Sequence, residues 1–313
     1  MTERELIYIK TIAEEKKISK AAEKLFMTQP SLSKCVQNVE CKLGVKLFRR
    51  TSNGLILTFA GEEYYKNACM ILKICNDFEN KVSDINDLKK GRVTIGITPH
   101  LATFIIPVIL SEFKQRCPNI EVFIVEKDTH ELEETLSSGD IDFAIMHVPP
   151  SHEIYNDVNI DFFILHKDFF LLTTKGNHPL GKYAKKYKGY KYPKIDFTLF
   201  KNEPFIMISH GHRIRQVTEL IMRKANINPA IVQTTNSYET ARRMAFHGIG
   251  ATFVPEQYLQ IYNTVDCKPD YYYIDEKYTP YWSLCIAVEK NAYVSKAAKL
   301  FIEMVSNRFA STS

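Results

Sequence analysis

Polar side chains that can recognise base edges in DNA recur at helical spacing near the start of the chain. The residues at positions i, i+3, i+4 and i+7 are Pro30, Ser33, Lys34 and Gln37, which places them on one face of an α-helix. Gln29 can pair with an adenine edge in the major groove and Lys34 with a guanine edge. Ser33 and Gln37 are further candidates for base contacts, and Pro30 for a thymine methyl group. The pattern predicts a helix that reads DNA sequence.

Residues beside this face can contact the DNA backbone, which positions a protein but carries no sequence information. Thr28 and Ser31 can donate hydroxyl hydrogens to phosphate, and the free N–H groups of a first helical turn can do the same. Arg50, a little further along the chain, is another candidate for a phosphate contact. Taken singly, each of these residues could instead be an ordinary solvated surface residue.

Three helices and a hairpin must hold this face in place. Apolar residues at helical spacing predict two helices, over about 6–13 and 18–25. Thr28 is a favoured N-cap for a third helix, whose apolar face comprises Leu32, Val36, Val39 and Leu43. An Asn53–Gly54 turn between two short apolar runs predicts a β-hairpin. We therefore predict an N-terminal winged helix-turn-helix over residues 1–58.

The net charge of the chain lies in this first segment. Residues 1–58 contain 11 Lys and Arg against 6 Asp and Glu, and this surplus equals the formal net charge of +5 of the whole chain. A basic head on a neutral body is the electrostatic pattern of a nucleic-acid-binding module attached to another domain. Charge alone also fits a solvated basic surface.

A long linker helix is predicted over residues 59–90. From Gly61 to residue 90 there is no proline and no second glycine. Apolar residues then alternate at spacings of four and three, which is a heptad seam; they are Tyr64, Ala68, Ile71, Cys75, Phe78, Val82 and Ile85. We expect this seam to pair two chains, and the alternative is a helix packed on its own domain.

From residue 91 onward, strands and helices alternate, which is typical of a parallel sheet. A first βαβαβ run is followed by a second set of strands and helices. Two such units with strands crossing between them predict an α/β domain of two subdomains around a cleft. We assign residues 91–163 and 268–313 to subdomain I and residues 164–267 to subdomain II.

Hydroxyl and imidazole side chains stand where strands of both subdomains give way to helices. Thr98 and His100 follow the first strand, and Thr129 follows the second. Ser209 and His210 hold the equivalent place in subdomain II. Helix N-termini attract anions, and hydroxyl groups or protonated histidines add to this attraction. We therefore expect a small anion to bind between the subdomains; simple helix capping around an empty cleft is the alternative.

Several classes of protein lack support in the sequence. We find no G-x-S-x-G, H-E-x-x-H or P-loop motif and no histidines at metal-ligand spacing, so we predict no enzyme, no metal and no cofactor. The start has no signal-peptide pattern and no apolar run could span a membrane, which favours a cytoplasmic protein over a secreted solute-binding protein. Seven cysteines without C-x-x-C disfavour a disulfide framework, although a redox pair among Cys117, Cys267 and Cys285 is an alternative.

The stretch AAEKLFMTQPSLSKCVQNVECKLGVKLFRRTSNGLILTFAG (21–61) resembles the DNA-binding signature of the LysR-type transcriptional regulators. Weaker likeness extends along the chain, for example at GRVTIGIT (91–98) and HGIGATFVPE (247–256). The resemblance implies a regulator that binds double-stranded DNA and has an effector domain similar to a periplasmic binding protein. It also implies a small carboxylate effector in the cleft and a homodimer that assembles into a homotetramer. Ligand-independent or redox-responsive regulation within the same family is the alternative.

Overall fold

The computed structural model describes residues 2–51, 54–85, 91–150, 159–260, 269–290 and 292–310. The N-terminal head is the predicted winged helix-turn-helix. Its elements are α1 (Glu3–Glu15), α2 (Ile18–Lys24), α3 (Gln29–Leu43), β1 (Phe48–Thr51) and β2 (Gly54–Leu57). The two strands pair antiparallel and form the wing.

The core of the head is formed by the apolar stripes of its three helices. Leu32, Val36 and Val39 of α3 are buried against α1 and α2, as their spacing predicts. Leu43 was expected on the same face, but it is 46% exposed. The reason is that α3 ends at this residue, and Gly44 turns the chain away in the left-handed conformation (φ 70°).

A buried carboxylate fixes the wing against α3. Glu40 accepts hydrogen bonds from the backbone N–H groups of Leu47 (2.9 Å) and Phe48 (3.4 Å), and from Lys46 Nζ (2.6 Å). Burial opposes the charge of Glu40, but these hydrogen bonds outweigh it and hold its pKa below the usual value. The carboxylate therefore stays ionised and sets the direction in which the wing leaves the helix.

The linker helix α4 (Phe59–Ile85) packs along α1. It starts very close to the wing, where a Cβ atom on Gly61 would lie only 2.0 Å from the Leu47 carbonyl oxygen. Head and linker also contact the α/β domain, through a Lys10–Asp140 ion pair of 2.5 Å and a Lys73–Glu289 ion pair. Residues 86–90 of the predicted linker lie outside the described residues, and no described helix is long and apolar enough to cross a membrane.

The α/β domain follows the predicted order of strands and helices. Subdomain I begins with β3 (Gly91–Ile97), α5 (Pro99–Arg116), β4 (Ile120–Glu126), α6 (Thr129–Ser137) and β5 (Phe143–Val148). After β6 (Ile160–Thr174), subdomain II contains β7 (Phe205–Ile208), α7 (Arg213–Ala225), β8 (Ile231–Thr235), α8 (Tyr238–Phe246), β9 (Thr252–Pro255) and β10 (Asp270–Tyr272). The chain then returns through β11 (Tyr281–Glu289) and ends with α9 (Lys296–Phe309).

The main sheet is mixed rather than parallel throughout. Among the described residues its strand order is β10-β6-β11-β5-β3-β4, with β9 also paired to β6. The predicted parallel pairing holds for β3 with β4 and β5. By contrast, β11 runs antiparallel to both β5 and β6, and β9 and β10 run antiparallel to β6. The direction reverses because the chain crosses between subdomains on these strands instead of through a helix.

The strand β6 belongs to both subdomains. Its residues 160–169 pair with β11 in subdomain I, and residues 170–174 pair with β9 and β10 in subdomain II. The chain also returns to subdomain I later than the predicted boundary at residue 268. Tyr272, Ile274 and Tyr278 pack in the core of subdomain II, so the chain re-enters subdomain I only with β11.

A buried polar cluster lies at the joint between the subdomains. The carboxyl group of Asp168 on β6 accepts hydrogen bonds from the Trp282 indole on β11 (3.0 Å) and from the backbone N–H of Gln257, after β9 (3.2 Å). His147 on β5 stacks on Trp282, with ring centroids 4.0 Å apart, and its Nε2 lies 3.9 Å from an Asp168 oxygen. Burial raises the pKa of Asp168 to about 7 and lowers the pKa of His147 well below its usual value.

The raised pKa of Asp168 predicts a pH-dependent stability. Between about pH 4 and pH 7 the unfolded chain loses the Asp168 proton while the folded chain keeps it, so this group destabilises the fold increasingly as pH rises. The full effect corresponds to at most about 4 kcal/mol. In Asp168→Asn the amide cannot ionise, so we expect the Tm advantage of the variant over the wild type to grow from pH 5 to pH 8.

Thermal unfolding at four pH values in this range measures the effect. Asp161→Asn, an exposed position on the same strand, is the control, and its Tm should follow that of the wild type. His147 lies beside Asp168, but burial lowers its pKa well below the usual value, so it stays neutral in the folded form of all three proteins. Parallel curves of Tm against pH for Asp168→Asn and the wild type would contradict the prediction.

Candidate functional sites

The predicted DNA-reading residues lie on the solvent side of α3. Gln29, Lys34 and Gln37 are exposed and Ser33 is half-buried, while the opposite side of the helix is in the core of the head. The hydrogen-bonding groups of this face are therefore available to base edges in a major groove. The sequence pattern placed these residues on the solvent side of α3 because the apolar and polar stripes of the helix are both continuous.

The predicted phosphate-contacting residues surround the start of α3. Thr28 is the N-cap, but its hydroxyl donates to Ser31 Oγ (2.9 Å) instead of capping the helix. Both residues and Pro30 are exposed. Arg50 is exposed on β1, opposite Leu55 of the second wing strand. The surface of this one small domain therefore carries the N-terminus of α3, the two hydroxyl groups and the arginine of the wing.

The predicted heptad seam divides into two parts. Tyr64 is half-buried against the core of the head, and Ala68 is fully buried, so Ala68 is not available to pair a second chain as predicted. Ile71 and Cys75 are half-buried. The exposed apolar stripe runs beside them at spacings of four and comprises Met70, Ile74, Phe78 and Val82, of which Phe78 and Val82 belong to the predicted seam. The side chain of Ile85 lies outside the described part of the structure.

A cavity of about 540 Å³ lies between the two subdomains. Three of the predicted effector residues line it: Thr98, His100 and Thr129. Thr98 is the N-cap residue of α5, and its side chain makes no capping hydrogen bond. Thr129 is the first residue of α6, which is capped by Asp128 and Glu131. The volume is in the range of pockets that hold small organic ligands.

The other two predicted effector residues do not line the cavity. Ser209 is half-buried outside it, and His210 is exposed. The helix begins at Arg213, as predicted, but Gly211 (φ 93°) turns the chain before it, and His212 is the N-cap. His212 and Arg213 line the cavity instead.

The inner wall of the cavity is aromatic, which the sequence did not reveal. Its residues are His147, Tyr238, Tyr258 and Trp282, and all four are buried. They come from β5, α8, the turn after β9, and β11. No local pattern joins these positions, because the cluster exists only once the two crossing strands are in place.

Two contacts already bridge the cleft. Arg213 of subdomain II forms an ion pair of 2.7 Å with Glu133 on α6 of subdomain I. Nδ1 of His100 lies 2.9 Å from the Tyr238 hydroxyl oxygen. Burial and the neighbouring His212 lower the pKa of His100, so this histidine adds no positive charge near neutral pH. The cationic group at the cleft is therefore Arg213.

Metal and thiol chemistry find little support in the described structure. Within the described ranges, no group of three or more His, Cys, Asp or Glu side chains is arranged to hold a metal ion. Cys117 and Cys285 of the suggested redox group are buried. Burial raises the pKa of Cys117, which disfavours the reactive thiolate. Cys267 lies outside the described residues.

Comparison with known families and structures identifies both parts of the chain. A family described as "Bacterial regulatory helix-turn-helix protein, lysR family" matches residues 4–62, and one described as "LysR substrate binding domain" matches residues 86–310. The HTH-type transcriptional regulator YcgK of Bacillus subtilis is 26% identical over 306 residues, which cover 95% of this chain and 91% of the relative. A probable RuBisCO transcriptional regulator of Trieres chinensis is 28% identical over 256 residues, which cover 81% and 80% of the two chains.

Solved structures share the fold over nearly the full length. A full-length OxyR variant from Pseudomonas aeruginosa has a TM-score of 0.69 at 22% identity, and the match covers 100% of this chain and 98% of the other. CbnR in complex with its target DNA has a TM-score of 0.63 at 19% identity, covering 99% and 100%. The chain therefore belongs to the LysR family, and it is a DNA-binding transcriptional regulator with a substrate-binding domain rather than an enzyme.

Proposed function

We propose that α3 enters the major groove of a double-stranded operator and that Gln29 and Lys34 read base edges there. The exposure of both side chains on the polar face of α3 carries this proposal. Ser33 and Gln37 add contacts on the same face, and Thr28, Ser31 and Arg50 contact phosphates. Because the positive charge of the chain is concentrated in this head, binding weakens as salt rises. The protein acts in the cytoplasm, where the DNA is.

We propose that a small anion, a carboxylate for preference, binds in the cavity between the subdomains and controls DNA binding. The observation that carries this is the Thr98 hydroxyl, which does not cap its own helix and lines the cavity. The N-termini of α5 and α7 belong to opposite subdomains, and both favour negative charge. The aromatic wall can pack against an apolar part of the ligand that carries the anionic group.

Ligand binding would act on the contacts that now bridge the cleft. A ligand carboxylate beside Arg213 competes with Glu133 for the ion pair with this arginine. The apolar part of the ligand, packed against the aromatic wall, contacts both subdomains at once. The ligand changes the angle between subdomains only to the extent that it binds one arrangement more tightly than the other. Such a coupling free energy is typically about 1–3 kcal/mol.

We propose that the exposed stripe of α4 pairs two chains and that the α/β domains join such dimers into a tetramer. Met70, Ile74, Phe78 and Val82 leave large apolar side chains in water. Burying them against a second copy of the helix removes this cost. The pair of heads then matches two half-sites on one duplex.

The first prediction from these proposals concerns sequence reading. Gln29→Ala should cost about 1–3 kcal/mol at the base pair that Gln29 reads and should relax specificity there. Arg50→Ala should instead weaken binding to all sequences and reduce the salt dependence. The measurement is a mobility shift on a duplex that the wild type selects from random DNA, and on its single-base variants. Gln115→Ala, an exposed glutamine on α5, is the control; unchanged base preference in Gln29→Ala would refute the assigned role.

The second prediction concerns assembly. Phe78→Asp places a charge in the exposed stripe, so it should dissociate the dimer and abolish binding to a two-half-site operator. Phe78→Leu keeps the position apolar and should behave like the wild type. Sedimentation measures the mass of each protein. A Phe78→Asp protein with wild-type mass would show that chains pair elsewhere.

The third prediction concerns the effector. Thr98→Val keeps the volume but removes the hydroxyl, so it should abolish stabilisation by any small carboxylate that raises the Tm of the wild type. Operator affinity without the carboxylate should stay nearly the same, because Thr98 lies in the cleft and not in the head. Thr103→Val, on the same helix but outside the cavity, serves as the control. An unaltered carboxylate response in Thr98→Val would place the ligand elsewhere, and loss of operator binding would make Thr98 a structural residue.

A further inference from the structure

A dense cluster of lysines and tyrosines lies in subdomain II, far along the chain from the basic head. Residues 176–195 contain six lysines and no Asp or Glu. We call residues 182–194 the lysine finger. Five of its lysines are exposed, namely Lys182, Lys185, Lys186, Lys188 and Lys191, and so are Tyr183, Tyr187 and Tyr190.

The charge of the finger is not neutralised by its surroundings. Several lysines of the head and linker form ion pairs, for example Lys10, Lys46 and Lys73. Over the described residues, none of the finger lysines forms one. The nearby carboxylate of Glu276 accepts a hydrogen bond from the Tyr190 hydroxyl (3.2 Å) and not from a lysine. The finger therefore presents an uncompensated positive surface.

The finger is held in a defined conformation rather than hanging free. Lys185 and Lys194 bridge antiparallel through two backbone hydrogen bonds of 2.9 and 2.8 Å. Tyr190 packs edge-on against Tyr273 (5.0 Å between centroids), and the backbone of Ile195 donates to the Tyr273 carbonyl. Because the backbone is already ordered, contact with a partner costs little loop entropy.

We propose that the lysine finger is a second DNA-binding surface, which contacts the phosphate backbone of the duplex outside the base pairs that α3 reads. Lysines supply point charges for phosphates, and exposed tyrosines supply hydroxyl donors and rings that pack against sugars. The protein already holds DNA through its head, so flanking phosphates are at high effective concentration for a second surface. The finger lies on subdomain II whereas the head and linker contact subdomain I, so the finger is a surface separate from the head.

The test compares a duplex trimmed to the operator with the same operator carrying 30 additional random base pairs on each side. The variant replaces Lys182, Lys186, Lys188 and Lys191 by Gln in the full chain. A matched control replaces four exposed lysines elsewhere in the α/β domain, Lys175, Lys201, Lys224 and Lys299. We expect the finger variant to bind the long duplex less tightly. The plot of log binding constant against log salt concentration should become less steep, by about 0.9 for each phosphate that is no longer neutralised. The control should match the wild type.

Replacing the same four finger lysines by Arg keeps the charge and should restore the slope, which a merely structural role would not explain. A finger variant with the wild-type slope and affinity on the long duplex would overturn the proposal. Normal DNA binding combined with reduced transcription in a purified system would also overturn it, in favour of an acidic protein partner. Neither result depends on Gln29, so failure here is distinguishable from failure of the base-reading prediction.

Discussion

The antiparallel pairing of β6 with β11 is the constraint on which the regulatory domain depends. These strands run from one subdomain into the other, and the Asp168–Trp282 hydrogen bond joins them where they cross. Any change in the angle between subdomains must bend both strands at this point. The cavity lies directly beside the joint, since His147 and Trp282 contribute to both. A ligand in the cavity therefore contacts the part of the domain that controls its shape.

A chain of short contacts leads from this cavity to the DNA-binding head. Glu133, which pairs with Arg213 across the cleft, lies on α6. The loop after α6 carries Asp140, which pairs with Lys10 on α1 of the head. A shift of α6 on ligand binding thus reaches the head within the same chain, in addition to any rearrangement between chains. The Lys10 side chain is buried while Asp140 is partly exposed, and Lys10 also pairs with Glu14 on its own helix.

The sequence predicted the elements that are determined locally. Thr28 and Pro30 marked the start of α3, and the alternation of strands and helices gave the order of the α/β domain. Pairings between distant segments were missed. The boundary at 268 was wrong because β10 pairs with β6, about a hundred residues earlier. The start of α7 at Arg213 was predicted, but Ser209 and His210 do not line the cavity, because the chain turns at Gly211 and His212 takes the N-cap position. Ala68 does not belong to the exposed seam because α4 also packs on α1.

One residue at the joint gives the protein an optical property. Trp282 is the single tryptophan of the chain, and it is buried at the crossing of the two strands, stacked on an imidazole and hydrogen-bonded to a carboxyl group. All indole emission from the protein therefore originates beside the cavity. Imidazole and carboxyl groups change their effect on an excited indole when they gain or lose a proton or move by fractions of an ångström. The protein thus carries an intrinsic fluorophore at the joint between its subdomains, without any added label.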